Sequence, residues 1–173
     1  MAQQSKIAKK IRRCAYKARA RAEVIAKAEG FDDDLFSFCA RGATILWKEL
    51  NNAGIEAKII YNPGHIFCYA SGYYVDITAT QFGEGFGKTM VRMEKSVEKL
   101  NTKQYMRHGK SLFPDWSIEN AWETFSNPQS LQAWQQANNF KPENIVKMSD
   151  MVPTPKYHYI KNYPSDFIEV KYV

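Results

Sequence analysis

The sequence predicts an α+β domain: a helix packed on a mostly antiparallel sheet, with extra helices at both ends. Three observations carry this. The first thirty residues repeat apolar side chains at spacings of three and four, which is the period of a helix. A second helical pattern runs from about Phe36 to Asn52 and stops at Gly54. From Ile55 to Thr78 the pattern changes to β-branched and aromatic runs, punctuated by Asn62-Pro63-Gly64 and Ser71-Gly72. At 173 residues and 45% hydrophobic, the chain can bury one ordinary core.

Residues 1–30 read as a basic amphipathic helix, set apart from a single domain over 31–173. Ile7, Ile11, Cys14, Ala18, Ala22 and Ile25 form a narrow apolar stripe over residues 5–29, and Gly30 is a natural stop. Charge is concentrated here. This segment holds nine Lys or Arg against two acids, +7, whereas the other 15 basic and 16 acidic residues leave −1, within the net +6. One reading is an arm whose Lys9, Lys10, Arg12, Arg13 and Lys17 contact nucleic acid or an acidic partner. The other is a surface helix docked by its stripe, with a solvated basic face and Cys14 buried.

Asp34 or Ser37 is the expected N-cap of the second helix, placing Cys39 in its first turn. Ile55 to Tyr61 reads as a strand, and His65–Ala70 and Tyr73–Thr78 as a hairpin about Ser71-Gly72. Residues 83–87 are glycine-rich, and Met90 to Lys99 suits either a strand or a short helix. Ile118 to Phe125 and Pro128 to Asn138 read as helices, and Phe167 to Val170 as a final strand. No apolar run reaches the ~18 residues of a membrane span, and no apolar leader is present. Three cysteines at irregular spacing do not form a disulfide framework, so a reducing cytoplasm is the expected compartment.

Three residues within this frame point to thiol chemistry. A cysteine nucleophile acts as its thiolate, which a helix N-terminus and a nearby imidazolium both favour. Cys39 has the helix start, and His65 is the candidate imidazole. A two-residue turn at Ser71-Gly72 pairs Ala70 with Tyr73 and aligns His65 with Thr78. Asp76 then projects from the same face as His65, diagonally across the ladder. A carboxylate there can fix the imidazole tautomer, as in catalytic triads. A three-residue turn would place the two on opposite faces.

The run Cys39-Ala40-Arg41-Gly42-Ala43, the helix ending near Gly54, Gly64-His65-Ile66-Phe67 and Tyr74-Val75-Asp76-Ile77-Thr78-Ala79-Thr80-Gln81-Phe82 resemble the transglutaminase-like branch of the papain-like cysteine protease superfamily. The resemblance covers about residues 34–82. It implies a nucleophile helix on an antiparallel sheet, with Cys39 as nucleophile, His65 as base and Asp76 as orienter. The expected activity is acyl-enzyme chemistry on an amide, peptide or isopeptide carbonyl: a thiol protease, amidase, deamidase or transglutaminase-like enzyme. Hydrolysis is favoured over transfer because nothing marks an amine site. The Cys39 amide is a candidate oxyanion donor, with Tyr61, Asn62 or Gln81 as a second donor or a neighbour of the triad.

Other signals are weaker. Gly85-Phe86-Gly87-Lys88-Thr89 ends like a phosphate loop, but position 82 is phenylalanine where the first glycine belongs. His65, His108 and His158 lack metal-ligand spacing, so neither metal nor cofactor is expected. Cys68 alternates away from the His65 face and reads as core. The aromatic C-terminal third reads as packing rather than base stacking. The alternative function is a non-catalytic binding protein that uses the basic helix.

Overall fold

The computed structural model describes residues 2–30, 35, 38–62, 65–82, 86–94, 116, 118, 121 and 123–137. The expected strand at 167–170, and the residues of 95–99, lie outside these. Among the described residues the architecture is α+β: three α-helices and a five-stranded sheet in which every pairing is antiparallel.

Helix α1 (Ala2–Ala28) is followed by α2 (Cys39–Asn52), β1 (Ala57–Asn62), β2 (His65–Ala70) and β3 (Tyr73–Asp76). A 3₁₀ turn (Ala79–Phe82), β4 (Met90–Met93), β5 (Glu123–Phe125) and α3 (Pro128–Ala137) complete the order. Across the sheet the strands run β4-β3-β2-β1-β5. No described helix is long and apolar enough to cross a membrane.

The stripe on α1 is buried: Ala8, Ile11, Cys14, Ala15, Ala18, Ala22 and Ala26 share one core with α2 and the sheet. Alanine dominates the contact, so the two helix backbones can approach closely. The docked reading therefore describes how α1 sits, and its outer face leaves Lys9, Lys10, Arg12, Arg13 and Lys17 exposed.

Helix α2 ends in a Schellman cap. The Ile55 amide donates to the Leu50 carbonyl and the Gly54 amide to the Asn51 carbonyl, with Gly54 at φ +69°. Trp47 Nε1 donates to the Ala57 carbonyl at 2.9 Å, tying the helix to the first strand. The start of α2 differs from expectation. Phe38 occupies the N-cap position without a side-chain cap bond, and the expected caps Asp34 and Ser37 lie outside the described residues. Phe38 is fully buried and its carbonyl accepts the Gly42 amide, so apolar anchoring sets this helix start.

The β2–β3 hairpin follows the two-residue turn. Ala70 pairs with Tyr73, Tyr69 with Tyr74 and Cys68 with Val75. Ser71 (φ +51°) and Gly72 (φ +82°) both take the left-handed conformation that such a turn requires. However, β3 stops at Asp76 instead of reaching Thr78. The Asp76 carboxylate captures the Thr78 amide at 2.7 Å, folding the chain out of the ladder.

The first part of 90–99 is strand, Met90–Met93 against β3. The expected helix over 118–125 is corrected: Glu123–Phe125 is a strand, pairing Ile59 with Phe125 and Tyr61 with Glu123. Thr124 and Phe125 favour extended backbone, and the open edge of β1 supplies hydrogen bonds that a short helix would lack. Helix α3 begins as its sequence signals, with Asn127 Oδ1 accepting the Ser130 amide at 2.9 Å.

Candidate active site

Cys39 is the first residue of α2, and His65 opens β2 opposite Asn62. Asp76 closes β3. They meet where β3 ends and the first turn of α2 passes over it. Gly42 makes this approach possible, because a Cβ there would lie 2.8 Å from Thr78 Cγ2.

His65 Nε2 lies 2.6 Å from Asp76 Oδ2, and both side chains are sealed from solvent. The parity argument from the hairpin turn is met. The carboxylate is fully engaged: Oδ1 accepts from the Thr78 amide (2.7 Å) and hydroxyl (2.9 Å), and Oδ2 also accepts from Trp116 Nε1 (3.0 Å). The imidazole sits among Phe67, Phe82 and Trp116, with Phe82 edge-on at 4.6 Å between centroids.

Burial alone would push the imidazole pKa down. The charge and hydrogen bond of Asp76, with a smaller contribution from Cys39, reverse this and hold His65 at about 9. Burial would likewise raise the Asp76 carboxyl, but His65, then Thr78 and Trp116, keep it below its ordinary value. The pair is thus imidazolium and carboxylate across neutral pH.

With Nε2 committed to Asp76, Nδ1 is the nitrogen left for chemistry. It makes no hydrogen bond of standard geometry among the described residues, although the Cys39 sulfur acts on the ring. Cys39 is 4% exposed.

The other two described thiols sit in different surroundings. Cys68 donates from Sγ to the Ala43 carbonyl at 3.3 Å, and burial, then the Asp76 charge, drives its pKa well up. Burial, then Glu49, also raises Cys14.

The proposed oxyanion or neighbouring residues separate. Asn62 is fully buried opposite His65. Tyr61 alternates to the other face and packs on Trp134 at 4.6 Å, so it is not beside the imidazole. Gln81 donates to the Thr78 carbonyl at 2.9 Å and braces the 3₁₀ turn behind Asp76.

Two residues were not singled out from sequence. Trp116 is fully buried, covers the imidazole and donates to Asp76. Its place 40 residues from Asp76 leaves no local pattern to read. Arg19 is 3% exposed and donates to the Ile77 carbonyl (2.6 Å), Thr80 Oγ1 (2.9 Å) and Glu23 (2.9 Å). It ties α1 to the turn that follows Asp76. Its spacing was a signal: four residues after Ala15 and three before Ala22, on the stripe. No group of three or more His, Cys, Asp or Glu that could hold a metal occurs among the described residues. No protein-family model, curated protein or solved structure matches this chain.

Proposed function

We propose that the protein is a thiol acyl-enzyme hydrolase or acyltransferase acting on an amide, peptide or isopeptide carbonyl. The observation that carries this is a buried His65 whose Nε2 is held 2.6 Å from Asp76, whose Nδ1 has no hydrogen-bond partner among the described residues, and on whose ring the Cys39 sulfur acts. A purely structural histidine gains nothing from a buried nitrogen left without a hydrogen bond, which costs stability.

The chemistry runs as follows. Cys39 Sγ, as thiolate beside the imidazolium, attacks the acyl carbon. The new C–S bond forms as the carbonyl π pair moves to oxygen, where backbone amides at the start of α2, which carries no side-chain cap bond, are suited to stabilise the charge. Collapse restores the carbonyl and breaks the C–N bond, and His65 Nδ1 gives its proton to the departing amine. Neutral His65 then takes a proton from water, or from an amine, as that nucleophile displaces the thiolate. Asp76 holds the ring throughout and remains ionised.

Alkylation with iodoacetamide, quantified at each cysteine by mass spectrometry from pH 5 to 9, tests the proposal. Cys39 is expected to react well below pH 8 and faster than Cys14 and Cys68, and His65→Ala to remove that advantage. Reaction of Cys39 as an ordinary thiol in the intact protein would sink it.

A further inference from the structure

A second feature lies apart from the cysteine. An open cleft of about 250 Å³ runs between the N-terminal half of α1 and β4. Arg12 and Tyr16 line it from the helix, Gly87 and Thr89 from the approach to β4, and Arg92 from the strand itself. Arg12 and Arg92 are 80 positions apart in sequence, so only the fold brings their charges to one concavity. Like charges at close quarters repel, and neither guanidinium has a hydrogen-bond or ion-pair partner among the described residues.

Other described cations differ in this respect. Arg19 and Lys88 share Glu23, Arg21 pairs with Glu49, and Arg41 pairs with Glu29. Each of these cations has an acidic partner, whereas none of the described residues that line the cleft is acidic. Tyr16, 63% exposed, and Thr89 add hydroxyl groups. Gly87 leaves its backbone uncovered: a Cβ there would meet nothing nearer than 4.0 Å.

We propose that this cleft binds a phosphate-type dianion, either free or as the end group of a small ligand. Two planar guanidinium forks can each bind two oxygens of a tetrahedral anion, and their charge matches a dianion. The Gly87-Lys88-Thr89 run takes part differently from a phosphate loop. Lys88 turns away to Glu23 at 2.9 Å, while Gly87 and Thr89 form the wall. The cleft also borders the cysteine site. Its wall residue Phe86 packs on Trp116 at 5.3 Å, and Met90 pairs with Asp76. The bound anion therefore lies across the Phe86–Trp116 layer from His65, separate from any acyl group at Cys39.

The test is an amide-resolved NMR titration of the full chain at constant ionic strength, with inorganic phosphate, acetate and a short oligothymidylate as separate arms. Phosphate should give saturable shifts at Gly87 and Thr89. Arg12→Gln and Arg92→Gln should each weaken its Kd about tenfold or more, with thermal midpoints near wild type because both side chains are exposed. Lys17→Gln, on the same helix outside the cleft, should leave the Kd unchanged. An unchanged Kd in both arginine variants, or an equal response to acetate, would overturn the proposal. So would an oligothymidylate response centred on Lys9, Lys10 and Arg13 with no phosphate response at Gly87. None of these readouts depends on Cys39, so acyl chemistry and anion binding stand or fall separately.

Discussion

Cys39 and Cys68 are both nearly sealed from solvent, at 4% and 0% exposure, and both lie where α2 meets the sheet. Their partners differ. Cys68 faces the Ala43 carbonyl, which accepts the thiol proton and offers nothing to a thiolate. Cys39 begins the helix and lies beside an imidazolium that Asp76 keeps charged. Burial usually makes a thiol inert. The proposed function requires that the cation beside the sulfur, not exposure, separates the two cysteines.

The largest expected effect comes from removing the charge that maintains this difference. Asp76→Ala leaves His65 buried without its carboxylate. Breaking a buried pair in this way costs about 3–5 kcal/mol, and Cys39 should lose its alkylation advantage. Cys68→Ala removes one weak hydrogen bond and a small volume, about 1 kcal/mol, and should leave the Cys39 rate intact. Urea unfolding and site-resolved alkylation of both variants provide the check. A Cys68→Ala protein that slows Cys39 as much as Asp76→Ala does would erase the distinction.

A smaller effect is expected from pH. His65 binds its proton more tightly folded, at about 9, than at its ordinary 6.5. Its contribution to stability is therefore full below about 6.5, declines above it and is lost as pH rises through about 9. Asp76 has the opposite sign. Its lowered pKa contributes above its ordinary 3.8 and is lost as pH falls through the folded value. The wild-type urea midpoint should thus fall between pH 6.5 and 9. In Asp76→Ala, burial acts on His65 against only the smaller contribution of Cys39, so this decline should disappear and stability should rise with pH in the acid range. A wild-type midpoint that stays flat from 6.5 to 9 would contradict the raised imidazole.

The fold was legible where the physics is local. The Ser71-Gly72 turn sets strand parity, and parity alone puts His65 and Asp76 on one face. Gly54 and Asn127-Pro128 mark helix ends through backbone geometry that any context requires. What was missed depends on distant partners. Glu123–Phe125 becomes a strand only because β1 has an open edge. Trp116 reaches Asp76 from 40 residues away, and Phe38 replaces a capping side chain because a core exists to receive its ring. Arg19 lies between these cases. Its spacing matched the apolar stripe, but its charge suggested the solvated face, and the Ile77 carbonyl that makes its burial tolerable belongs to another element.

Gly42 gives the smallest and most finely balanced effect. Within a helix, glycine to alanine ordinarily stabilises by up to about 1 kcal/mol, because alanine loses less backbone entropy. At Gly42 the added Cβ would lie 2.8 Å from Thr78 Cγ2, so either α2 or Thr78 must shift. Overpacking of this kind costs about 1–3 kcal/mol. The steric term wins, and the net loss in Gly42→Ala should be about 0–2 kcal/mol. The consequence for chemistry should exceed that for stability. Thr78 supplies two of the four hydrogen bonds to Asp76, and a displaced Thr78 loosens the carboxylate that positions His65. Cys39 alkylation should therefore slow several-fold while that of Cys68 stays unchanged. A Gly42→Ala protein that is more stable than wild type and equally reactive at Cys39 would show that the helix start and the Asp76 turn are not in contact as described.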